Sequence, residues 1–389
     1  FAINRKMSSQ SYGYMGLLLI SVVCCALEYN RWNYDGMIFY SFGILSIYIV
    51  SLPDEVESKI TMVINTFFEK RPKITIEDSP VKIISQMNIE LSDEDIQEDG
   101  LKALIILTDQ IKSTEEFRKS IFQHGISPLI MRFIKDKDCS SHLKILALKL
   151  LKNLSTLVEM KQLFEGEGDV CDIITLVTLM RDELAINKQL VVEAAELKLE
   201  SEDYKLTVTE ASKQTAEFQR LIAMILGSLG DGRNELKTNI FDEGFVQASL
   251  EALDYFKFHR DLTHWILWSF FNLSFSHNSN KVELVRCNAL ASVVTAMNEH
   301  KSSLTVQRQA IGLLFSCLMQ TEGTSLDVGK MREAAYIQGM VPAIETAIET
   351  HQNDVQLKAM GQSIINDSKS RRVADMSPRD TIQNTNKSK

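Results

Sequence analysis

Two apolar stretches near the start of the chain constrain its fold more than any other feature. Residues 12–27 and 37–52 are nearly free of charge, and a short polar and aromatic link, residues 28–36, joins them. A membrane-spanning helix needs roughly 20 apolar residues, and each stretch reaches the lower end of that length once its flanking residues are included. We therefore predict a transmembrane helical hairpin over residues 12–52, preceded by an N-terminal flank at 1–11.

Aromatic residues in the link support this prediction. Tyr29, Trp32 and Tyr34 stand where interfacial aromatic side chains are expected. A hairpin buried in a soluble core is the alternative, and a cleaved signal peptide would explain the first stretch but not the second. Because the sequence begins with Phe1, we expect either a processed product, for example after loss of an organelle-targeting peptide, or a truncated record.

The distribution of positive charge indicates how such a hairpin is oriented. Two spans put both ends of the chain on the same side of the membrane. The basic residues that flank the hairpin on that side are Arg5, Lys6, Lys59, Lys70, Arg71 and Lys73, whereas the link has only Arg31. We therefore expect an integral membrane protein whose large C-terminal part faces the cytosol or a matrix compartment.

The composition of the chain limits the classes of partner and fold. A net charge of −9 disfavours nucleic acid as a partner, because its phosphates would be repelled. Six cysteines without a CxxC pair fit a reducing compartment. Few prolines and many Leu, Ile and Ala residues favour an all-helical body.

The sequence after residue 100 repeats itself. Five stretches in which a small or turn-prone residue opens an apolar helix begin at Gly125, Asp169, Gly244, Asn288 and Gly339. Four apolar helix ends close with Leu154, Leu229, Leu273 and Leu318, which follow each other by 75, 44 and 45 residues. The step of 75 residues contains an insertion. The two sets otherwise agree on a spacing in the low-to-mid forties, so we predict an array of helical repeats.

This repeat resembles the armadillo family within the broader class of armadillo and HEAT arrays. The segment His124-Gly125-Ile126-Ser127-Pro128 resembles the glycine turn before the second helix of an armadillo repeat. Residues 150–155 and 270–274 resemble the end of its third helix. The resemblance covers roughly residues 100–368 and implies an all-α fold, an armadillo-like α-solenoid that follows the transmembrane hairpin.

Three segments depart from the repeat. Residues 181–212 form a charged, helix-prone insertion that we expect to project from the array, either as a partner contact or as a passive elaboration. Residues 53–99 are predicted to be an amphipathic helix, at 53–70, and an irregular link. That helix lies on the bilayer or, as we favour, caps the first repeat. Residues 369–389 are predicted to be a flexible basic tail.

Motifs for catalysis or metal binding are missing from the sequence. His259-Arg260-Asp261-Leu262 resembles the kinase catalytic loop, but Ile266 stands where that loop requires Asn. We expect a turn between repeats there, with Asp261 as the N-cap of the next helix. No HExxH motif and no phosphate-binding glycine loop is present. We therefore predict a protein that is not an enzyme and has no cofactor and no metal site.

The resemblance also implies a candidate binding site. Armadillo proteins that bind extended peptides use Trp and Asn one turn apart on their third helices, where Asn bonds the peptide backbone and Trp walls off side-chain pockets. Trp268 and Asn272 have this spacing, and Asn153 has Lys149 in the place of the Trp. These three residues, Trp268, Asn272 and Asn153, are the candidate partner-binding residues. The alternative is a core Trp and an Asn whose bonds are satisfied internally.

Together these patterns predict a non-catalytic, membrane-anchored subunit or scaffold of a larger protein complex. Its partners would be other protein subunits and, through residues 12–52, the lipid bilayer. The mitochondrial inner membrane is the expected location. The alternative is a membrane-tethered cytosolic adaptor that binds a peptide or a cargo protein in the armadillo groove.

Overall fold

The computed structural model describes residues 74–109, 113–165, 172–196, 202–319 and 339–376. All of them belong to the second of two compact units, Lys73–Lys389. The predicted transmembrane hairpin at 12–52 and the predicted amphipathic helix at 53–70 lie outside the described residues. Within the described ranges, no helix combines the length and the hydropathy that crossing a bilayer requires.

The described residues form sixteen α-helices and no β-strand. In chain order these are α1 (Pro80–Ile89), α2 (Glu94–Leu107), α3 (Glu115–Gln123), α4 (Ile126–Lys135), α5 (Ser141–Leu154), α6 (Val158–Glu165), α7 (Ile173–Glu196), α8 (Glu202–Leu229), α9 (Asn234–Asp242), α10 (Phe245–Tyr255), α11 (Arg260–Ser274), α12 (Asn278–Arg286), α13 (Ala289–Glu299), α14 (Leu304–Met319), α15 (Met340–Thr350) and α16 (Val355–Met376). The predicted all-α fold is confirmed for this part of the chain.

These helices stack in three rows. The first row is α3, α6, α9 and α12; the second is α4, α7, α10, α13 and α15; the third is α2, α5, α8, α11, α14 and α16. Each helix contacts the next helix of its own row. Successive three-helix units are therefore stacked in register, which confirms the predicted array of helical repeats.

A left-handed residue lies immediately before four of the second-row helices, α4, α10, α13 and α15. Gly125, Gly244 and Gly339 have φ values of 80°, 85° and 81°, and Asn288 has a φ of 58°. Glycine adopts this region freely, and Asn tolerates it better than most residues. Four of the five predicted helix openings are thereby confirmed, and the fifth, at Asp169, lies outside the described residues.

One repeat has much longer helices than the others. α7 has 24 residues and α8 has 28, whereas α10 and α13 have 11 each. The predicted insertion at 181–212 falls on the paired outer halves of α7 and α8. Asn187 joins the base of this extension to its surroundings, because its side chain bonds the Ser212 hydroxyl at 3.3 Å and accepts from the Tyr255 hydroxyl at 3.0 Å.

A buried basic residue occupies the fourth position of every described first-row helix: Arg118, Lys161, Lys237 and Lys281. Lys161 Nζ donates to the carbonyl of Asp231 at 2.7 Å, and Lys237 Nζ donates to the carbonyl of Phe275 at 2.7 Å. These carbonyls lie just past the C-terminal ends of α8 and α11. A lysine there satisfies a backbone acceptor and stabilises the negative end of the helix dipole.

Two predicted boundaries are wrong. Residues 80–98, predicted to be irregular, form α1 and the start of α2. Ser79 caps α1 by accepting from the Lys82 amide, Pro80 suits the first turn, and Ile83, Ile84 and Met87 are buried. The basic tail, predicted to begin at residue 369, is helical as far as Met376 because α16 continues.

The left-handed residues before the second-row helices lead to a prediction about stability. Gly125→Ala should lower the free energy of unfolding by about 1 kcal/mol, because a Cβ is disfavoured at positive φ. Gly125→Asn should cost less, as Asn288 occupies the equivalent position. Urea unfolding followed by circular dichroism in mild detergent measures both. Gly312→Ala, inside α14, is the control and should be neutral or stabilising; an equal loss there would contradict the explanation.

The buried lysines of the first row lead to a second prediction about stability. Lys237→Met keeps the length of the side chain but leaves the Phe275 carbonyl without its donor, which should destabilise the protein by about 1–3 kcal/mol. Lys358→Met on the exposed face of α16 is the matched control and should change stability by less than about 0.5 kcal/mol. If the two variants unfold at the same urea concentration, Lys237 has no capping role.

Candidate protein-binding face

The third-row helix α11 presents one stripe of side chains away from the core. Asp261, Trp265, Trp268 and Asn272 recur at i, i+4, i+7 and i+11, which places them on a single face of the helix. The opposite side is fully buried through Ile266, Phe270 and Leu273. The packing of α11 between α8 and α14 therefore fixes which side chains point outward.

Two tryptophans dominate this stripe. The rings of Trp265 and Trp268 meet edge to face, with centroids 5.3 Å apart and an interplanar angle of 80°. Trp268 lies against Gly227 of α8, where an added Cβ would come within 2.7 Å of the Trp268 ring. Gly227 therefore makes room for the indole, and both tryptophans stay partly exposed.

The two candidate asparagines are placed differently. Asn272 is partly exposed, and its amide makes no hydrogen bond with the described part of the chain. Asn153 is buried, and its Nδ2 donates to the Ile105 carbonyl at 3.1 Å and to the Thr108 hydroxyl at 3.2 Å. The amide hydrogens of Asn153 are thus used to close the end of α2, while those of Asn272 face outward.

Charges beside the stripe are paired with each other. Glu217 on α8 accepts two hydrogen bonds from Arg220, at 2.7 and 2.8 Å, and lies 3.6 Å from Lys149 Nζ on α5. Burial alone would raise the pKa of Glu217, but the hydrogen bonds and charge of Arg220, together with Lys149, hold that pKa below its ordinary value. This part of the third row therefore presents no large excess of either charge.

The N-cap of α11 differs from the sequence prediction. His259 is the cap, since its Nδ1 accepts from the Leu262 amide at 3.1 Å. Asp261, predicted to be the cap, is the second residue of the helix and pairs with Arg260 at 2.9 Å. Only the residue just before the helix can reach the amide of the third helical residue. The hydrogen bond and charge of Arg260 lower the pKa of Asp261.

The described residues offer little for a metal ion or a small ligand. No set of three or more His, Cys, Asp or Glu side chains there could hold a metal ion. A cavity of about 100 Å³ lies between α10, α11 and α13, lined by Leu253, Asp254, Lys257, Thr263, Ser292, Thr295, Ala296 and Glu299. This lining contains neither a histidine nor a cysteine. The Thr263 hydroxyl lies 3.3 Å from His300 Nε2, but its proton is donated to the His259 carbonyl at 3.1 Å.

Sequence reasoning missed two features around the stripe. The pair Glu217–Arg220 has i,i+3 spacing, but such pairs are common on any helix surface. The series Arg118, Lys161, Lys237 and Lys281 advances in steps of 43, 76 and 44 residues, close to the leucine spacing. That periodicity was the available signal that these basic side chains belong to the repeat and not to a solvated surface.

Comparison with known proteins defines the class of fold. No family model matches the chain, and no curated protein matches it. A crystal structure of an engineered protein from the Northeast Structural Genomics Consortium matches 75% of this chain and 99% of its own, with a TM-score of 0.55 and 14% sequence identity. A second engineered protein from that consortium matches 75% and 97%, with a TM-score of 0.53 and 15% identity. The likeness supports the fold alone: the chain contains a helical repeat domain.

Substitutions of Asn153 and Asn272 should differ in their effects on the free energy of unfolding. Asn153→Ala leaves the Ile105 carbonyl at the end of α2 without its donor and should lower the free energy of unfolding by about 1–3 kcal/mol. Asn272→Ala removes no internal bond and should change it by less than about 0.5 kcal/mol. Urea unfolding of the two variants side by side checks this, and equal losses would mean that Asn272 is also a structural residue.

Proposed function

We propose that this protein is a non-catalytic scaffold of the armadillo type that binds another protein through the outer stripe of α11. The observation that carries the proposal is the combination of two partly exposed tryptophans, Trp265 and Trp268, with the outward amide of Asn272 on one helix face. Tryptophan is the residue most enriched at the energetic centres of protein interfaces, and an unused amide offers the hydrogen bonds that give direction.

The armadillo type is supported by the arrangement of the helices. Each described unit has up to three helices, and its third helix packs on the third helices of its neighbours. A left-handed residue precedes the second-row helices α4, α10, α13 and α15. Such arrays present extended surfaces for partners. The resemblance stated from the sequence implies that the third helices line this binding surface.

The number of Trp/Asn pairs favours a folded partner over an extended peptide. An extended peptide is bound by several such pairs in succession. The positions equivalent to Trp268 and Asn272 hold Lys149 and Asn153 on α5, Met224 and Ser228 on α8, and Leu313 and Cys317 on α14, and Leu313 and Cys317 are fully buried. A single aromatic centre suits one anchoring contact with a folded subunit.

The membrane part of the proposal rests on the sequence. Residues 12–52 would anchor the scaffold, with the helical array on the cytosolic or matrix side. Under this proposal the protein is a permanent subunit of a membrane complex, with the mitochondrial inner membrane as the proposed location. The second form of the proposal, a tethered adaptor that binds cargo reversibly, shares the same stripe and is favoured by the exposure of Trp268 and Asn272.

Purification of the native protein from membranes in mild detergent tests the proposal. We expect a large particle of defined size with fixed co-purifying proteins. The double variant Trp268→Ala/Asn272→Ala should lose those partners, since removing an interface centre of this kind costs at least about 2 kcal/mol, or roughly thirtyfold in affinity. The matched control is Phe258→Ala, an aromatic residue that is 69% exposed but lies off the stripe.

The outcomes of this experiment separate the two forms of the proposal. A large particle that survives purification identifies a complex subunit. A small particle whose partner is recovered only after chemical cross-linking, and only from protein with an intact stripe, identifies the adaptor. Full partner recovery with the double variant would mean that the stripe of α11 is not the binding site.

A further inference from the structure

One histidine lies at the junction between two repeats and bonds to both of them. His277 follows the end of α11 and is the N-cap of α12. Its Nδ1 accepts from the Asn280 amide at 3.4 Å, and its Nε2 lies 3.2 Å from the Thr238 hydroxyl oxygen on α9. The imidazole therefore fixes the first turn of α12 and ties α12 to the preceding first-row helix.

The N-cap bond of His277 requires an unprotonated Nδ1, which also lies 3.1 Å from the Ser279 hydroxyl oxygen. The hydroxyl of Thr238 donates to the Asn234 carbonyl at 3.2 Å, so its oxygen is left to accept a proton from Nε2. Nδ1 must then be unprotonated, because it accepts from a backbone amide. Only the neutral imidazole has one donor nitrogen and one acceptor nitrogen.

The charged groups near His277 are mainly positive. On α9, Lys237 is buried and donates to the Phe275 carbonyl; on α12 itself, Lys281 is buried one turn after His277. The negative charge of Asp231, in the turn before α9, acts to raise the pKa of Lys237 and so opposes the effect of burial. The last two turns of α11 contribute no charged side chain. Burial and then the charge of Lys237 lower the pKa of His277. Hydrogen bonds with the backbone of Asn234 and of His277 itself act in the opposite direction, but the net effect keeps the ring neutral near pH 7.

Most of the other side-chain N-caps in the described residues do not titrate in this range; the exception is His259, the N-cap of α11. Ser79, Asp93, Thr114 and Ser140 cap α1, α2, α3 and α5, and Asp354 caps α16. Hydroxyls and carboxylates remain acceptors at any pH above about 5, whereas an imidazole loses its acceptor when it is protonated. The histidine caps of α11 and α12 are thus chemically different from the caps of α1, α2, α3, α5 and α16.

We propose that His277 makes the first turn of α12 an acid-sensitive switch, which is closed near neutral pH and loosened when the imidazole gains a proton. The proton goes to Nδ1, where it abolishes the bond from the Asn280 amide and adds a positive charge beside Lys237. The first turn of α12 then loses its N-cap, while Nε2 still donates to Thr238 on α9. This device concerns the array itself and does not depend on the binding of a partner.

The direction of the pH dependence follows from the direction of the shift. The folded protein binds this proton less readily than the unfolded chain, since the pKa of His277 is lowered on folding. The stability that His277 contributes is therefore complete above the unfolded value of about 6.5 and is lost as the pH falls from there through the folded value.

Hydrogen exchange read by mass spectrometry tests the switch in the full chain in mild detergent, at about pH 7.5 and about pH 5.5. After correction for the intrinsic exchange rate, amides in residues 275–286 of the wild type should exchange about fivefold faster at the lower pH, as expected for the loss of one N-cap. His277→Asn keeps a favourable N-cap that does not titrate, so its protection should not depend on pH. His124→Asn, an exposed histidine on another repeat, is the matched control and should respond as the wild type does.

Two outcomes would overturn the proposal. One is equal protection of residues 275–286 at both pH values in the wild type; the other is a His277→Asn variant that keeps the wild-type response. A measurement on the unaltered protein covers the case in which that variant does not fold. Deuterium exchange at the imidazole carbon should give His277 a pKa below its ordinary value of about 6.5, and a pKa at or above that value would also contradict the switch.

Discussion

The structure depends on one constraint: no repeat can bury its own apolar surface without its neighbours. α11 shows this most clearly, because Phe270 packs edge to face on Phe245 of α10 at 5.8 Å, and Leu273 fills the space that the absence of a side chain at Gly230, just past the end of α8, leaves open. With α8 on one side and α14 on the other, only one face of α11 remains for contacts outside the array. The candidate binding stripe is therefore a consequence of the stacking.

Stacking apolar helices also brings helix ends into the interior, and buried polar side chains satisfy them. Gln307 Nε2 donates to the carbonyls of Met297 and His300 at 2.8 and 3.0 Å, and Gln97 Nε2 donates in the same way to Met87 and Glu90 at 2.8 and 2.7 Å. Lys161 and Lys237 of the first row likewise donate to carbonyls just past the ends of the third-row helices α8 and α11. Since an unpaired buried carbonyl is costly, these contacts help to hold each repeat in one register.

The features that the sequence predicted are those with a local cause. The leucines at the helix ends and the glycine at position 125 recur, or have counterparts, once in each repeat. The sequence alone therefore shows the period of the array. The spacing of Trp268 and Asn272 likewise predicts a shared face. The role of Asn153 could not be predicted, since its acceptor at Ile105 is 48 residues away and is placed only by stacking. The helix α1 was not predicted, although Pro80 stands in its first turn, where proline is favoured.

Site-specific photo-crosslinking in native membranes tests the central claim most directly. A benzophenone amino acid would replace Trp265 on the stripe of α11 or, as the comparison, Val282 on the first-row helix α12, which is 39% exposed. If the stripe of α11 binds a partner, we expect a single adduct of defined mass from position 265 and none from position 282. Adducts from position 282 alone, or equal yields from both positions, would contradict a binding face on the third row.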